Sequence, residues 1–225
     1  MSIFIIATGT DVGKTMTSTS LMVKYGADCN LFYWKPVQTG PLKTTDTYFL
    51  EKALGTSRRI LPAGYSYSHP SSPHYSASLE NSEISVEYLN LLWERNQSLI
   101  GKNASIIVEA AGGLMVPLNN DTLFLDWIQD MKLPVLLVVS TSLGTINHSL
   151  LSLEALHLRK VPVLGFLGYG EDVDTWESSK QAIERFGKAE SLGRFFLDKK
   201  LHTSDLQNEI LRCFDTANQI KGLLQ

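Results

Sequence analysis

An apolar run, Ile3-Phe4-Ile5-Ile6-Ala7, leads directly into Thr8-Gly9-Thr10-Asp11-Val12-Gly13-Lys14-Thr15-Met16, and this junction restricts the chain to few folds. A strand handing over to a helix through glycines and Gly-Lys-Thr is a phosphate-binding loop. Gly9 and Gly13 let the backbone turn tightly enough to aim successive N–H groups, from Thr10 to Met16, at one anion. Lys14 adds a point charge, and the Thr15 hydroxyl can ligate Mg²⁺. The helix expected to begin near Lys14 directs its positive end at the same phosphates. Three residues separate Gly9 from Gly13-Lys14, one fewer than the usual spacing.

Beyond the loop, strand-length apolar runs alternate with longer amphipathic stretches. Strands are expected at 3–8, 31–35, 105–109, 135–139 and 161–167, with a weaker one at 191–197. Helices fit near 14–26, 46–54, 84–100, 121–131, 146–159, 175–187 and 203–222. Runs such as Val135-Leu136-Leu137-Val138-Val139 are apolar on both faces, as strands covered on both sides must be. The expectation is an α/β P-loop NTPase fold. Its mostly parallel sheet has about six or seven strands with helices on both faces, and residues 1–225 form a single domain. Residues 61–82, broken by four prolines and glycines and rich in Tyr and His, read as a functional loop or an insertion.

Composition narrows the function. A net charge of −3 advertises no basic surface for nucleic acid or acidic lipid. Cys29 and Cys213 lie far apart and in no metal-ligand spacing, which fits reduced thiols in the cytoplasm. No apolar run reaches the roughly 18 residues of a membrane span, and the amino terminus lacks the basic region of a signal peptide.

In a parallel sheet, ligands bind beyond the carboxyl ends of the strands, and polar residues gather at those ends here. The second strand exits through Lys35-Pro36-Val37-Gln38-Thr39-Gly40. A lysine ending a buried strand is costly unless it meets an anion, although snorkelling at a strand edge is the plainer explanation. The third ends at Glu109 before Ala110-Ala111-Gly112-Gly113, where a carboxylate can reach a metal held by phosphates and Thr15. Asp46 and Asp11 are further metal candidates, and Asp46 alone also suits a helix N-terminus. The turn Gly144-Thr145-Ile146-Asn147 opens a helix with free N–H groups, equally suited to a carboxylate or to an ordinary cap.

Together, in this order, these residues resemble dethiobiotin synthetases. The likeness rests on Val12-Gly13-Lys14-Thr15, Lys35-Pro36-Val37 with Thr39-Gly40, Asp46, Ser72-Pro73-His74, Val108-Glu109 with Gly112-Gly113, Asp126-Trp127, Leu133-Pro134-Val135, and Leu143 to His148. The resemblance implies a dimeric enzyme acting on 7,8-diaminononanoate, CO₂ or bicarbonate, and ATP with Mg²⁺. Lys35, assisted by Lys14 and Thr39, would hold a carbamate at the γ-phosphate. Thr15, Asp46 and Glu109 would hold the metal, with Asp11 nearby. Ser72 and Pro73 would help close the pocket, and Gly144 to Asn147 of the partner copy would bind the substrate carboxylate.

Departures from the family concern its loop and its base end. The family commonly carries two more residues between Asp11 and Val12, and a glycine where Ala110 would bring a methyl toward the phosphates. Tyr169 stands where an Asn reads adenine, and Arg194, after Leu192-Gly193, stands at a commonly acidic position. If Tyr169 and Gly193 face the nucleotide, the base contact differs, and GTP or CTP could replace ATP. Rival readings are a partitioning ATPase of the ParA or MinD kind, opposed by Thr10 at the position of their signature lysine, and a non-catalytic nucleotide-binding protein, opposed by Lys35.

Overall fold

The computed structural model describes residues 1–198 and 200–224. In chain order the elements are β1 (Ile3–Ala7), α1 (Lys14–Tyr25), β2 (Leu31–Trp34), β3 (Val37–Thr39), α2 (Asp46–Leu54), β4 (Ile60–Leu61), β5 (Tyr65–Tyr67), α3 (Pro73–Leu79) and α4 (Val86–Ile100). They continue with β6 (Ser105–Glu109), α5 (Phe124–Met131), β7 (Val135–Ser140), α6 (Thr145–Leu158), β8 (Val163–Tyr169), α7 (Trp176–Gly187), β9 (Ser191–Phe195), α8 (Thr203–Cys213) and α9 (Gln219–Leu224).

Seven strands form one sheet in the order β4-β2-β6-β1-β7-β8-β9, and every neighbouring pair is parallel. Successive side chains of a strand point to opposite faces, and β1 sorts its residues accordingly. Phe4 and Ile6 join a core with α4, α5, α6 and α7. Ile3, Ile5 and Ala7 join a second core with α1, α2, α8 and α9. The first core is centred on aromatic side chains: Trp127 meets Phe4, Trp34 and Phe124 edge-on at ring separations of 5.5, 6.1 and 5.6 Å. The buried indole N–H groups are satisfied, Trp127 by Asn90 and Trp34 by the Pro62 carbonyl.

The structure departs from expectation in several places, and β4 is a sheet strand where none was expected. Residues 61–82 are not featureless, because β5 pairs in parallel with β3 as a separate two-stranded sheet and α3 follows. The helix expected over 203–222 is broken at Phe214–Asn218, where Asp215 and Asn218 adopt positive φ and the Asp215 carboxylate accepts from Ile220 N and Lys221 N to start α9. The strand expected over 161–167 begins after Pro162, which has no N–H to donate, and runs on to Tyr169. The expected 121–131 helix starts at Phe124, where the Asp126 carboxylate accepts from the Leu123 N–H.

Candidate active site

Parallel pairing sets β2, β6 and β1 side by side, so the phosphate loop, Lys35 and Glu109 all emerge at the carboxyl end of the sheet. Gly13, at φ 102°, caps α1 in a left-handed conformation that residues with a Cβ rarely adopt. Gly113 lies beside the loop, where a Cβ on it would make an ordinary contact 3.5 Å from Gly9 Cα. The Lys14 ammonium donates to the Gly9 carbonyl at 2.9 Å, curling over the loop it belongs to.

One polar network joins the rest. Lys35, 3% exposed, places Nζ 2.9 Å from Glu109 Oε1 and 2.6 Å from Asp46 Oδ2, and donates to the Ala110 carbonyl at 3.2 Å. Thr15 Oγ1 donates to Asp46 and lies 3.1 Å from Glu109 Oε1. The Tyr33 hydroxyl donates to Glu109 Oε2 at 3.2 Å, so both oxygens of this fully buried carboxylate are engaged. Asp46 is the first residue of α2, which Thr45 caps by accepting from Tyr48 N. Gln38 Oε1 accepts from the Thr47 hydroxyl at 3.1 Å, tying the start of α2 to β3.

Charge in the network follows from burial and pairing. Burial opposes a charged Lys35, but the carboxylates of Glu109 and Asp46 outweigh it and hold its pKa above the ordinary lysine value. Burial likewise opposes a charged Asp46, and Lys35 with Thr15 overcomes it, lowering the carboxyl pKa. Lys14 goes the other way. Burial, reinforced by the Lys35 ammonium, lowers its pKa to about 8.

Lys14, Thr15, Lys35, Gln38 and Asp46 line a cleft of about 500 Å³ together with Thr10, Asp11, Gly13, Thr39, Ser72, Pro73 and Gly112, and Glu109 lies fully buried behind that wall. Among the described residues no group of three or more His, Cys, Asp or Glu side chains is placed to hold a metal. Two carboxylates and one hydroxyl converge instead, a donor set that suits Mg²⁺ completed by phosphate and water oxygens. The Lys35 ammonium lies against those same carboxylates, so the pair already accommodates a cation.

Other expected site residues are placed differently. The Met16 side chain is fully buried in the second core, leaving only its backbone to face the loop. Val12 packs against that core, and Gly193 lies exposed in β9, outside the cleft lining. The Tyr169 hydroxyl donates to the Leu197 carbonyl at 2.9 Å inside the protein, and Tyr169 does not line the cleft. Ala110 turns its methyl into the first core, so it does not crowd the phosphate side. Gly144, Ile146 and Asn147 are exposed at the start of α6 and absent from the cleft lining, and the Thr145 hydroxyl is spent on the Ser140 carbonyl. Sequence reasoning missed Tyr33 and Gln38. Tyr33 shares a strand face with Lys35 because the two are separated by one residue, and that parity was the available signal.

The fold and this loop define a P-loop nucleoside-triphosphate-binding protein. A family described as "AAA domain" matches residues 1–203. The ATP-dependent dethiobiotin synthetase BioD of Leptospira interrogans is 39% identical with all of both chains covered, and that of Afipia carboxidovorans is 42% identical over 83% of each. The chain belongs to the dethiobiotin synthetase family. Among solved structures, the MinC:MinD cell division protein complex of Aquifex aeolicus superposes with a TM-score of 0.59 at 15% identity, covering 98% of this chain and 96% of that one. Likeness at that identity concerns the fold alone.

Proposed function

We propose that residues 1–225 act as one catalytic domain that closes the ureido ring of dethiobiotin from 7,8-diaminononanoate, CO₂ and ATP. The observation that carries this reading is Lys35, a second buried ammonium on the wall of the phosphate-loop cleft. Nucleotide binding alone has no need of it. In the first step one amine of the diamine adds to CO₂ and releases a proton, giving a carbamate. A carbamate oxygen then attacks the γ-phosphorus and ADP leaves. Finally the second amine attacks the carbonyl carbon, phosphate departs with the carbamate oxygen, and the ring closes with loss of a proton.

Phosphoryl transfer asks the protein mainly for positioning and charge neutralisation. Lys35 would hold the carbamate beside the γ-phosphate, with the Thr39 hydroxyl as a further donor. The raised pKa of Lys35 keeps it an ammonium throughout the working pH range. Lys14 and the loop N–H groups would neutralise charge that develops on the transferring group. Thr15, Asp46 and Glu109, with Asp11 close by, would hold Mg²⁺, which when bound supplies further neutralisation of phosphate charge.

The reading extends to a homodimer. Gly144 to Asn147 lie outside the cleft of their own chain, and Leu143, Ile146 and Leu151 are exposed around them. A partner copy would bring this turn to the cleft, where Asn147 and the α6 amides bind the distal carboxylate of the substrate. No helix among the described residues is long and apolar enough to cross a membrane, and the free Cys29 and Cys213 suit the cytoplasm. Replacing Asn147 by alanine should raise the KM for the diamine about 10- to 100-fold, the worth of a hydrogen bond to a charged group. The KM for ATP should be unchanged, and steady-state kinetics with each substrate varied would read both.

The loss of Lys14 charge predicts a pH dependence. As pH rises through about 8 the free protein's loop loses its point charge, so kcat/KM for ATP should fall. The fall should be about tenfold per pH unit above that value and absent in Lys14→Arg, which stays charged.

The activity itself is tested by incubating the protein with the diamine, bicarbonate, Mg²⁺ and ATP. A cyclic urea in the mass spectrum, with phosphate release that depends on the diamine, is expected. Diamine-independent hydrolysis would instead indicate a partitioning ATPase.

A further inference from the structure

Tyr169 ends β8 directly beneath the phosphate loop. A Cβ built on Gly13 would lie 2.3 Å from Tyr169 Cγ and 2.4 Å from Cδ1, so the ring and the Gly13 backbone are already in contact. The ring is fixed from the other side. Its hydroxyl donates to the Leu197 carbonyl, Phe195 meets it edge-on at 5.2 Å and Phe196 lies at 5.6 Å. Burial, with Asp198 and Glu171 adding, pushes the phenol pKa up to about 12, which keeps it a donor. The neighbouring strand end behaves alike, since the Arg194 guanidinium donates to the Gly170 carbonyl at 2.9 Å.

We propose that Tyr169 is a positioning residue of the phosphate loop, a braced wedge that fixes Gly13 and the N–H groups around it, and that the protein selects its nucleotide by the triphosphate rather than by the base. Resting on the function proposed above, the inference follows from where the polar groups are spent. A side chain that reads an adenine edge at both its amino group and its ring nitrogen needs a free donor and a free acceptor. The hydroxyl of Tyr169 serves a backbone carbonyl instead, and Arg194, one N–H of which is given to Gly170, has no acceptor to offer. A site that does hydrogen-bond a substrate edge rejects the analogue lacking it by about 10⁴–10⁵. No such discrimination in favour of adenine is expected from Tyr169 or Arg194.

Calorimetric titration of the full chain with ATP, GTP, CTP and base-free tripolyphosphate, all with Mg²⁺, tests both halves. The wild type should bind the three nucleotides within about tenfold of one another, one hydrogen bond's worth. Tyr169→Ala should weaken all four ligands by a common factor of about 10–100, the cost of a misplaced binding group. Tyr169→Phe, which keeps the wedge and folds without a new cavity, should retain most of the affinity for all four. A preference for one base above tenfold in the wild type would overturn the proposal. So would an alanine variant that loses ATP while keeping tripolyphosphate, because the tyrosine would then read the base. If nucleotides bind as described but no cyclic urea forms, the proposed reaction fails while this inference stands.

Discussion

Replacing Lys35 by alanine should lower kcat about 10²–10³-fold, the usual loss when one preorganised charge donor is removed from a transition state. It should also unsettle the fold. Glu109 is fully buried, and Lys35 is its cationic partner at 2.9 Å. Removing one member of a buried pair leaves an uncompensated charge and costs about 3–5 kcal/mol. For a chain of this length that is on the order of 10 °C in Tm. Asp46, with a side chain 34% exposed, can recover solvent and adds less. The two effects separate in the double variant Lys35→Ala, Glu109→Gln. Calorimetry should find much of the lost stability restored, while turnover stays at least as low as in the single variant. Near-normal turnover in the single variant would reject Lys35 as the carbamate-holding residue.

Gly13→Ala should abolish nucleotide binding at ordinary concentrations. The left-handed conformation costs alanine about 1–2 kcal/mol, and its methyl would also enter the Tyr169 ring. Because the ring is pinned at both its hydroxyl and its face, the loop must move instead. A shift of about 1 Å in a positioning group costs on the order of 100-fold. Gly55→Ala is the control. Gly55 is also left-handed, at φ 67°, but has open space around its Cα, so strain alone should lower Tm slightly and leave ATP affinity intact. Comparable losses of affinity in both variants would mean that backbone strain, not the collision, is responsible.

Much of this was legible in the chain. The uninterrupted apolar runs give five of the seven sheet strands close to their observed positions, because strands covered on both faces leave no polar alternation to misread. The meeting of Lys14, Thr15, Lys35 and Glu109 also follows from reading polar residues at strand ends, and Asp46 joins them from the start of α2. What escaped was decided by side-chain direction. Ala110 and Met16 follow functional residues immediately in sequence, yet point into the two cores rather than the cleft. Tyr169 falls two residues beyond the strand expected over 161–167 yet ends β8, and only its packing against Gly13 and Phe195 reveals that its hydroxyl is unavailable. The two-residue β4 and the short β3–β5 ribbon carry too few residues to display a period.

The central claim is that an anion-binding loop and the Lys35 ammonium bring a carbamate oxygen and the γ-phosphorus together. Supplying bicarbonate labelled with oxygen-18 tests it in one measurement, the isotopic mass of the phosphate released during turnover with diamine and ATP. Label carried into the phosphate is expected, since the carbamate oxygen that attacks phosphorus departs with it. Unlabelled phosphate, its new oxygen drawn from water, would contradict it.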